Sequence, residues 1–364
     1  MKKQIQAFFV ISMLMASGYG QSYSYARPET RADGWETRSL QEMGLDTILI
    51  DTLFTQLFQQ KHKIHSTLVI KEGKIVVEEY FNGNTRESRY DIRSATKSVI
   101  SLLVGIALDK GFIASVDDPM NIYLKDKVPE KNKSADKENI SIRHLLTMSS
   151  GLECNDWNKK SRGQEDKVFR KRDWIQYTLD LPMVDSPGKT TSYCSMGTVL
   201  AAEIVSKASG FPIDVFAEKY LFQPLGITNV NWGHTTTGKP IVPSAKRLYM
   251  TSRDMAKIGQ LVAKGGIWNG KTVISKEWIA KATMSQTKLS NLEYGFLWWK
   301  IPFSMNGKKI HGTVATGNGG QYIMIFEDWD LVVVFTGGAY NSEQDKVPFA
   351  ITNNIFLPVF AKNK

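Results

Sequence analysis

The sequence predicts an α/β (α+β) protein: an antiparallel sheet flanked by helices, interrupted by an inserted, mainly helical domain. Three observations predict it. Strand-like runs occur near both ends of the chain. The stretch between them is dominated by helical spacing. Hairpin turns connect the strand-like runs, and hairpins give antiparallel pairing. At 364 residues, 42% hydrophobic and 23% charged, the chain is long enough for one large domain or two smaller ones.

The first twenty residues are read apart from the fold. Lys2 and Lys3 form a positive start, AFFVISMLMA (7–16) is a short apolar run, and Ser17-Gly18-Tyr19-Gly20 offers small residues for cleavage. This is the pattern of a secretory signal peptide over 1–20, which predicts a periplasmic or secreted protein. The apolar run is too short to span a bilayer comfortably, so no stable membrane span is expected in the mature chain.

Residues 21–37 read as an irregular start. Leu49, Leu53, Phe54 and Leu57 have helical spacing within 40–61. STLVI and IVVEEY, joined by Lys71-Glu72-Gly73-Lys74, form a hairpin over 66–80. A polar loop then leads through Arg93 into the most apolar helix of the chain, where VISLLVGIAL (99–108) carries no charge and Asp109-Lys110-Gly111 ends it.

From Phe112 strand signals fade. Helical runs are expected at 141–148, 172–181, 196–209, 213–220 and 252–264, the third ending at Gly210 and the last at Gly265-Gly266. Strand signals return at 294–301, 309–316, 321–326 and 331–336, and a helix at 347–357 closes the chain. The expected division is a discontinuous sheet domain (21–111 and 286–364) around a helical domain (112–285).

Composition excludes several functions. With Lys2 and Lys3 removed, 44 of the 46 basic residues remain against 36 acidic ones, a net charge of +8. The excess is scattered over loops such as WNKKSRGQEDKVFRKR (157–172), as on a solvated surface, and no nucleic-acid module is recognisable, so no nucleic-acid partner is expected. His62, His65, His144, His234 and His311 lack metal-ligand spacing, so no metal site is expected, and the serine chemistry set out below needs neither a metal nor an organic cofactor. Cys154 and Cys194 are the two cysteines, and export permits a disulfide between them. Such a bridge would tie the loop after Ser149-Ser150-Gly151 to the segment around Tyr193.

The chemistry concentrates at Ser94-Ala95-Thr96-Lys97. Ser and Lys three apart on a helix share a face. At the first turn that face also carries unpaired backbone N–H groups and the positive end of the helix dipole. Such a Ser attacks a carbonyl, the Lys takes its proton, and N–H donors hold the oxyanion. The S-x-x-K string recurs at Ser134/Lys137, Ser186/Lys189 and Ser285/Lys288. The first is expected in a solvated loop, the second spans a Pro-Gly turn, and the third ends a polar helix. Only Ser94 opens a helix apolar all round, and a Lys one turn into a buried helix needs a purpose.

Two further segments complete a constellation. Tyr193-Cys194-Ser195 precedes the helix at 196; the Tyr193 phenol would relay a proton beside Lys97, and Ser195 would hydrogen-bond Lys97 or the substrate. Gly317-Asn318-Gly319-Gly320-Gln321 runs into a strand, where glycines would let a substrate approach the backbone and the Gln321 N–H would be a second oxyanion donor beside that of Ser94. Trp157, Trp232, Trp298 and Trp299 are candidates for a substrate wall, Asn155 and Asp156 for polar contacts, and the segments 153–172 and 231–246 for the pocket rim.

The order S-x-x-K, Tyr-Cys-Ser and Gly-Asn-Gly-Gly-Gln resembles the serine β-lactamase and penicillin-binding-protein superfamily. Within it the chain resembles the class C β-lactamase, esterase and D-alanyl-D-alanine carboxypeptidase group. Ser94-Ala95-Thr96-Lys97-Ser98-Val99, Leu145-Leu146-Thr147-Met148-Ser149-Ser150-Gly151-Leu152 and Gly319-Gly320-Gln321 are most similar to 6-aminohexanoate-dimer-hydrolase-like members. The resemblance spans about residues 40 to 360. It implies a β-lactamase/transpeptidase-like fold, Ser94 as nucleophile, Lys97 with Tyr193 as base, and Ser94 and Gln321 N–H groups in the oxyanion hole. Asn318, Gly319 and Gly320 would bind substrate. Asn318 stands where many members place Lys or His, Gly319 where β-lactamases place Thr, and Ser195 where they place Asn. These departures favour a small-molecule ester or amide, or a peptidoglycan-derived peptide, over a β-lactam. The alternatives are a class C-like β-lactamase, a carboxypeptidase, or a penicillin- or peptidoglycan-binding module without turnover. No G-x-S-x-G string occurs, which disfavours an α/β-hydrolase.

Overall fold

The computed structural model describes residues 22–233, 247–305 and 307–361. The expected signal peptide and the 234–246 part of the expected pocket rim lie outside the described residues. No helix among those described is long and apolar enough to cross a membrane.

Nine strands form one sheet: β1 (Glu36–Thr37), β2 (Ile64–Lys71), β3 (Lys74–Tyr80), β4 (Thr287–Leu289), β5 (Leu292–Tyr294), β6 (Trp299–Met305), β7 (Lys308–Gly317), β8 (Gln321–Phe326) and β9 (Leu331–Gly337). Their spatial order is β1-β3-β2-β9-β8-β7-β6-β5-β4. Pairing is antiparallel except at the edge, where β1 runs parallel to β3. The β2–β3 turn closes with Glu72 and Gly73 both at positive φ, as a two-residue hairpin requires. The N-terminal and C-terminal strands meet at β2–β9, so the sheet closes only when the two ends of the chain come together.

One helix, Ala95–Asp109, fills the space between the sheet and the helical region, and Ala95 to Ala107 are all buried. It packs on the helix Ser195–Ser209, on Lys276–Thr283 and on β7 and β8. Gly105 makes the second contact possible: a Cβ there would fall 2.1 Å from the Trp278 indole, whose Nε1 donates to the Ser101 carbonyl at 3.1 Å.

The helix Ser252–Ala263, grouped by sequence with the helical domain, lies on the sheet against β2, β8 and β9 instead. A Cβ on Gly259 would meet Val332 at 2.5 Å and Ile323 at 2.7 Å. Its Arg253 joins three segments, binding buried Glu78 on β3 at 2.6 Å and Asp33 at 2.7 Å. The irregular start is thereby fastened to the sheet.

Other boundaries also shift. The strand expected at 294–301 is broken at 295–298, where Leu297 has φ 63°. A Cβ on Gly295 would fall 2.2 Å from the Ala282 carbonyl oxygen, and Ser98 Oγ donates to the Leu297 carbonyl at 2.7 Å. Lys137, expected in a solvated loop, is buried, its Nζ donating to the Leu179 carbonyl at 2.7 Å, while Ser134 caps a short helix. That second Ser/Lys pair is therefore structural.

Candidate active site

Ser94 sits at the N-terminus of the central helix, yet its side chain makes no capping hydrogen bond. The alternative explanation of a serine at that position, a helix cap, is thus removed. Its Oγ instead accepts from Lys97 Nζ at 3.0 Å. The residue before it, Arg93, has φ 51°, an uncommon conformation for a side chain with a Cβ. The following N–H groups of Ala95, Thr96 and Lys97 donate to the carbonyls of Ile92, Arg93 and Ser94. The Ser94 N–H has no acceptor among the described residues and remains an available donor.

Lys97 is 5% exposed. Burial alone would lower its pKa, but Tyr193, Glu165 and Asp156 outweigh that and raise it. The lysine is held as a cation. Its Nζ lies 5.0 Å from the Tyr193 ring centroid, and the Tyr193 hydroxyl is among the groups stabilising its proton.

Tyr193 is placed by a disulfide. Cys154 is bonded to Cys194, which brings the loop after Gly151 against the segment entering the helix Ser195–Ser209. Asp156 N–H donates to the Tyr193 carbonyl at 2.8 Å, and Ser192 Oγ to the Cys154 carbonyl at 2.8 Å. Trp157 stacks on Tyr193 with centroids 4.9 Å apart, and Trp299 lies on the ring at 6.2 Å.

These groups border a cleft of about 1080 Å³ whose walls include Ser94, Trp157, Tyr193, Trp299 and Asn318. Of the four tryptophans singled out, Trp157 and Trp299 line it. Trp298 is fully buried, and Trp232 packs near Phe222 elsewhere. Asn155 does not face the cleft as a free polar group; its Oδ1 accepts from the Trp157 N–H at 2.9 Å.

The glycine turn after β7 reaches the nucleophile differently from the expectation. Gly317 packs on the segment before Ser94, where a Cβ would fall 2.2 Å from the Ile92 carbonyl oxygen. Thr316, Gly317 and Asn318 consequently border the cleft. Gln321 is fully buried and is not among the residues lining it. Its side-chain amide donates to the Gly337 carbonyl and its backbone pairs with Gly317. Gly319 and Gly320 make room for protein rather than ligand: a Cβ on Gly319 would strike the Tyr340 ring at 2.5 Å, and Gly320 faces Gly337. Asn318 is fixed by reciprocal bonds with Asn341, at 3.0 and 3.1 Å.

Ser195, expected on Lys97 or the substrate, has another partner. Its Oγ donates to Glu165 Oε2 at 3.0 Å, and its N–H donates to Asp156 Oδ2 at 2.7 Å. Asp156 Oδ1 in turn accepts from the Glu165 N–H at 2.9 Å. Burial, more than any neighbour, pushes the Asp156 carboxyl up to about 6. Glu165 was not singled out by sequence. It lies in a charged run that reads as solvated surface, and no spacing ties it to Ser94.

Comparison with known proteins places this geometry in context. A family model described as beta-lactamase matches residues 50–348. The 6-aminohexanoate-dimer hydrolase of Paenarthrobacter ureafaciens is 22% identical over 321 residues, covering 79% of this chain and 77% of its own. Among solved structures, a class C beta-lactamase superposes with a TM-score of 0.66 at 16% identity, covering 87% of this chain and 97% of its own. The octameric penicillin-binding protein homologue from Pyrococcus abyssi gives 0.66 at 20% identity, covering 85% and 77%. At these identities the structural likeness speaks to the fold alone.

Proposed function

The chain belongs to the beta-lactamase family, among serine hydrolases of the β-lactamase and penicillin-binding-protein type, and from that premise we propose that it cleaves an ester or amide through an acyl intermediate on Ser94. The observation that carries the reading is the uncapped Ser94 Oγ, 3.0 Å from the ammonium of a buried lysine. The substrate carbonyl lies in the cleft with its oxygen toward the Ser94 N–H. The turn residue bordering the cleft beside Ser94 is Asn318 rather than Gln321, and the Asn318 N–H takes the role of second donor. Ser94 attacks, and its proton is relayed through the Lys97–Tyr193 pair to the leaving group, the pair giving up one proton as it takes the other, so that Lys97 is a cation before and after the step.

An ester or amide is favoured over a β-lactam because the turn facing Ser94 brings no cation for a substrate carboxylate, and the Asn318 side chain is already bound to Asn341. The disulfide suits an oxidising compartment, which together with the N-terminal segment supports export to the periplasm or medium.

The test is intact-mass spectrometry of the mature protein with a fluorophosphonate, a p-nitrophenyl ester and a penicillin in parallel. The expected result is one adduct on Ser94 with rapid ester turnover, both lost in Ser94→Ala. Turnover retained in Ser94→Ala overturns the mechanism. An acyl-enzyme persisting for hours with every substrate supports a binding module instead.

A further inference from the structure

We propose that a second cavity, remote from Ser94, binds a small aliphatic carboxylate, with Lys137 as the group that meets its charge. The cavity, of about 530 Å³, lies between the segment 120–138 and the end of the helix Trp174–Leu179, and it shares no lining residue with the spaces that Ser94 borders. Its volume falls within the roughly 300–1,000 Å³ of small-molecule sites.

Lys137 is the unusual member of its wall. The residue is 2% exposed and has no carboxylate partner among the described residues. Its Nζ donates to the Leu179 carbonyl at 2.7 Å and to the Lys131 carbonyl at 3.4 Å. An ammonium has three donors, so one N–H is left without an acceptor among the described residues. Asp180 acts on it through space only, and its Oδ1 is taken by the Glu130 and Lys131 N–H groups. A buried ammonium satisfied by neutral carbonyls alone is costly. A ligand carboxylate would supply both the missing acceptor and the missing charge. Ser134 Oγ accepts from the Asp136 N–H at 3.2 Å and makes no bond to Lys137, so this Ser/Lys string binds rather than reacts.

The rest of the wall selects the ligand. Met120, Leu124, Val128, Pro129 and Leu179 form its apolar part, and no aromatic ring is among the lining residues. Such a wall suits a flexible alkyl chain rather than a planar ring, which would gain from stacking. Of the three lysines that border the cavity, Lys127 is paired with Asp173. Lys133 and Lys137 remain against Glu138, an excess of one positive charge, which matches a single carboxylate.

The experiment is isothermal titration calorimetry of the mature protein with octanoate, with hexanoate and 1-octanol as comparators. The expected result is one octanoate per chain. Hexanoate should bind about 10-fold more weakly, having two fewer CH₂ groups to bury. 1-Octanol should be weaker by about 10-fold or more, since it lacks the charge that Lys137 meets. Lys137→Met should weaken octanoate by about 10-fold or more and leave 1-octanol unchanged. Val128→Asp, at a position 64% exposed and so tolerated by the fold, should also weaken octanoate by setting a like charge in the wall. Absence of octanoate binding at millimolar concentration overturns the proposal, as does equal affinity for octanoate and 1-octanol. Unchanged octanoate affinity in Lys137→Met overturns it too, since the ligand then lies elsewhere, the Ser94 cleft included. Should Lys137→Met fail to fold, unchanged affinity in Val128→Asp overturns it equally.

Discussion

Trp157 lies flat on Tyr193, the ring centroids 4.9 Å apart and the planes within 1° of parallel, although Trp157 is 55% exposed. A large indole left in water is held there because it covers the phenol that borders Lys97. Trp157→Ala should therefore lower kcat/KM by about 3- to 10-fold, the loss of an aromatic pair contributing about 1 kcal/mol. Trp157→Phe should retain most of the activity. Steady-state kinetics on the two variants checks this, and equal effects would mean the ring stack does not matter.

The Cys154–Cys194 bond closes a separation of 40 residues and holds both rings. Removing it as Cys154→Ala/Cys194→Ala should reduce stability by about 4 kcal/mol by loop entropy, with a lower Tm. Activity should fall beyond what the stability loss explains at a temperature where the protein is still folded. Circular dichroism melts and ester assays, with and without reductant on the wild type, separate the two effects.

Lys97→Ala should be nearly as damaging to turnover as Ser94→Ala, about 1000-fold or more, with the fold retained. Tyr193→Phe should be milder, since it leaves Lys97 Nζ beside Ser94 Oγ. Single-turnover acylation rates of the two variants give the comparison.

Gly105→Ala should destabilise the protein by about 1–3 kcal/mol, because the added methyl meets the Trp278 indole inside the core. Gly44→Ala is unsuitable as a control, since Gly44 is at φ 67°. Ala280→Gly, on the exposed face of the helix carrying Trp278, should lose no more than about 1 kcal/mol. Urea denaturation measures both.

Acid should act through Glu78. Burial alone would raise its carboxyl, but hydrogen bonds from Arg253, Arg86 and Tyr80 outweigh this and hold it below its ordinary 4.5. A group depressed in the folded state stabilises the protein above its unfolded pKa, and that stabilisation disappears as pH falls through the lower folded value. Stability should thus decline below about pH 4.5. Glu78→Gln should be less stable at pH 7 and lose less on acidification. Arg253→Met, which leaves Glu78 with Arg86 and Tyr80 only, should lose about 1–3 kcal/mol. Melts from pH 7 to pH 3 test all three.

Ser94 and Lys97 were legible because helical spacing alone puts them on one face, and because a charge entering a buried helix is conspicuous. The hairpin at 64–80 and the strands 308–317, 321–326 and 331–337 were legible for a local reason too, short runs rich in β-branched and aromatic residues bounded by turn residues. The break at 295–298 was not, since it depends on Ala282 and Ser98, which are distant in sequence. Nor was the placement of the helix Ser252–Ala263 on the sheet, which is settled by contacts with Val332 and Ile323.

By itself the sequence determined the periodic elements, the Ser94–Lys97 pair and the family resemblance, all properties of neighbours along the chain. Tertiary structure decided which turn residue meets Ser94, that Gly319 serves Tyr340 rather than a ligand, and that Asp156 and Glu165 stand beside Lys97. Those relations join segments tens to hundreds of residues apart. They exist only once the sheet has brought the two ends of the chain together and the disulfide has drawn the loop after Gly151 against the Ser195 helix.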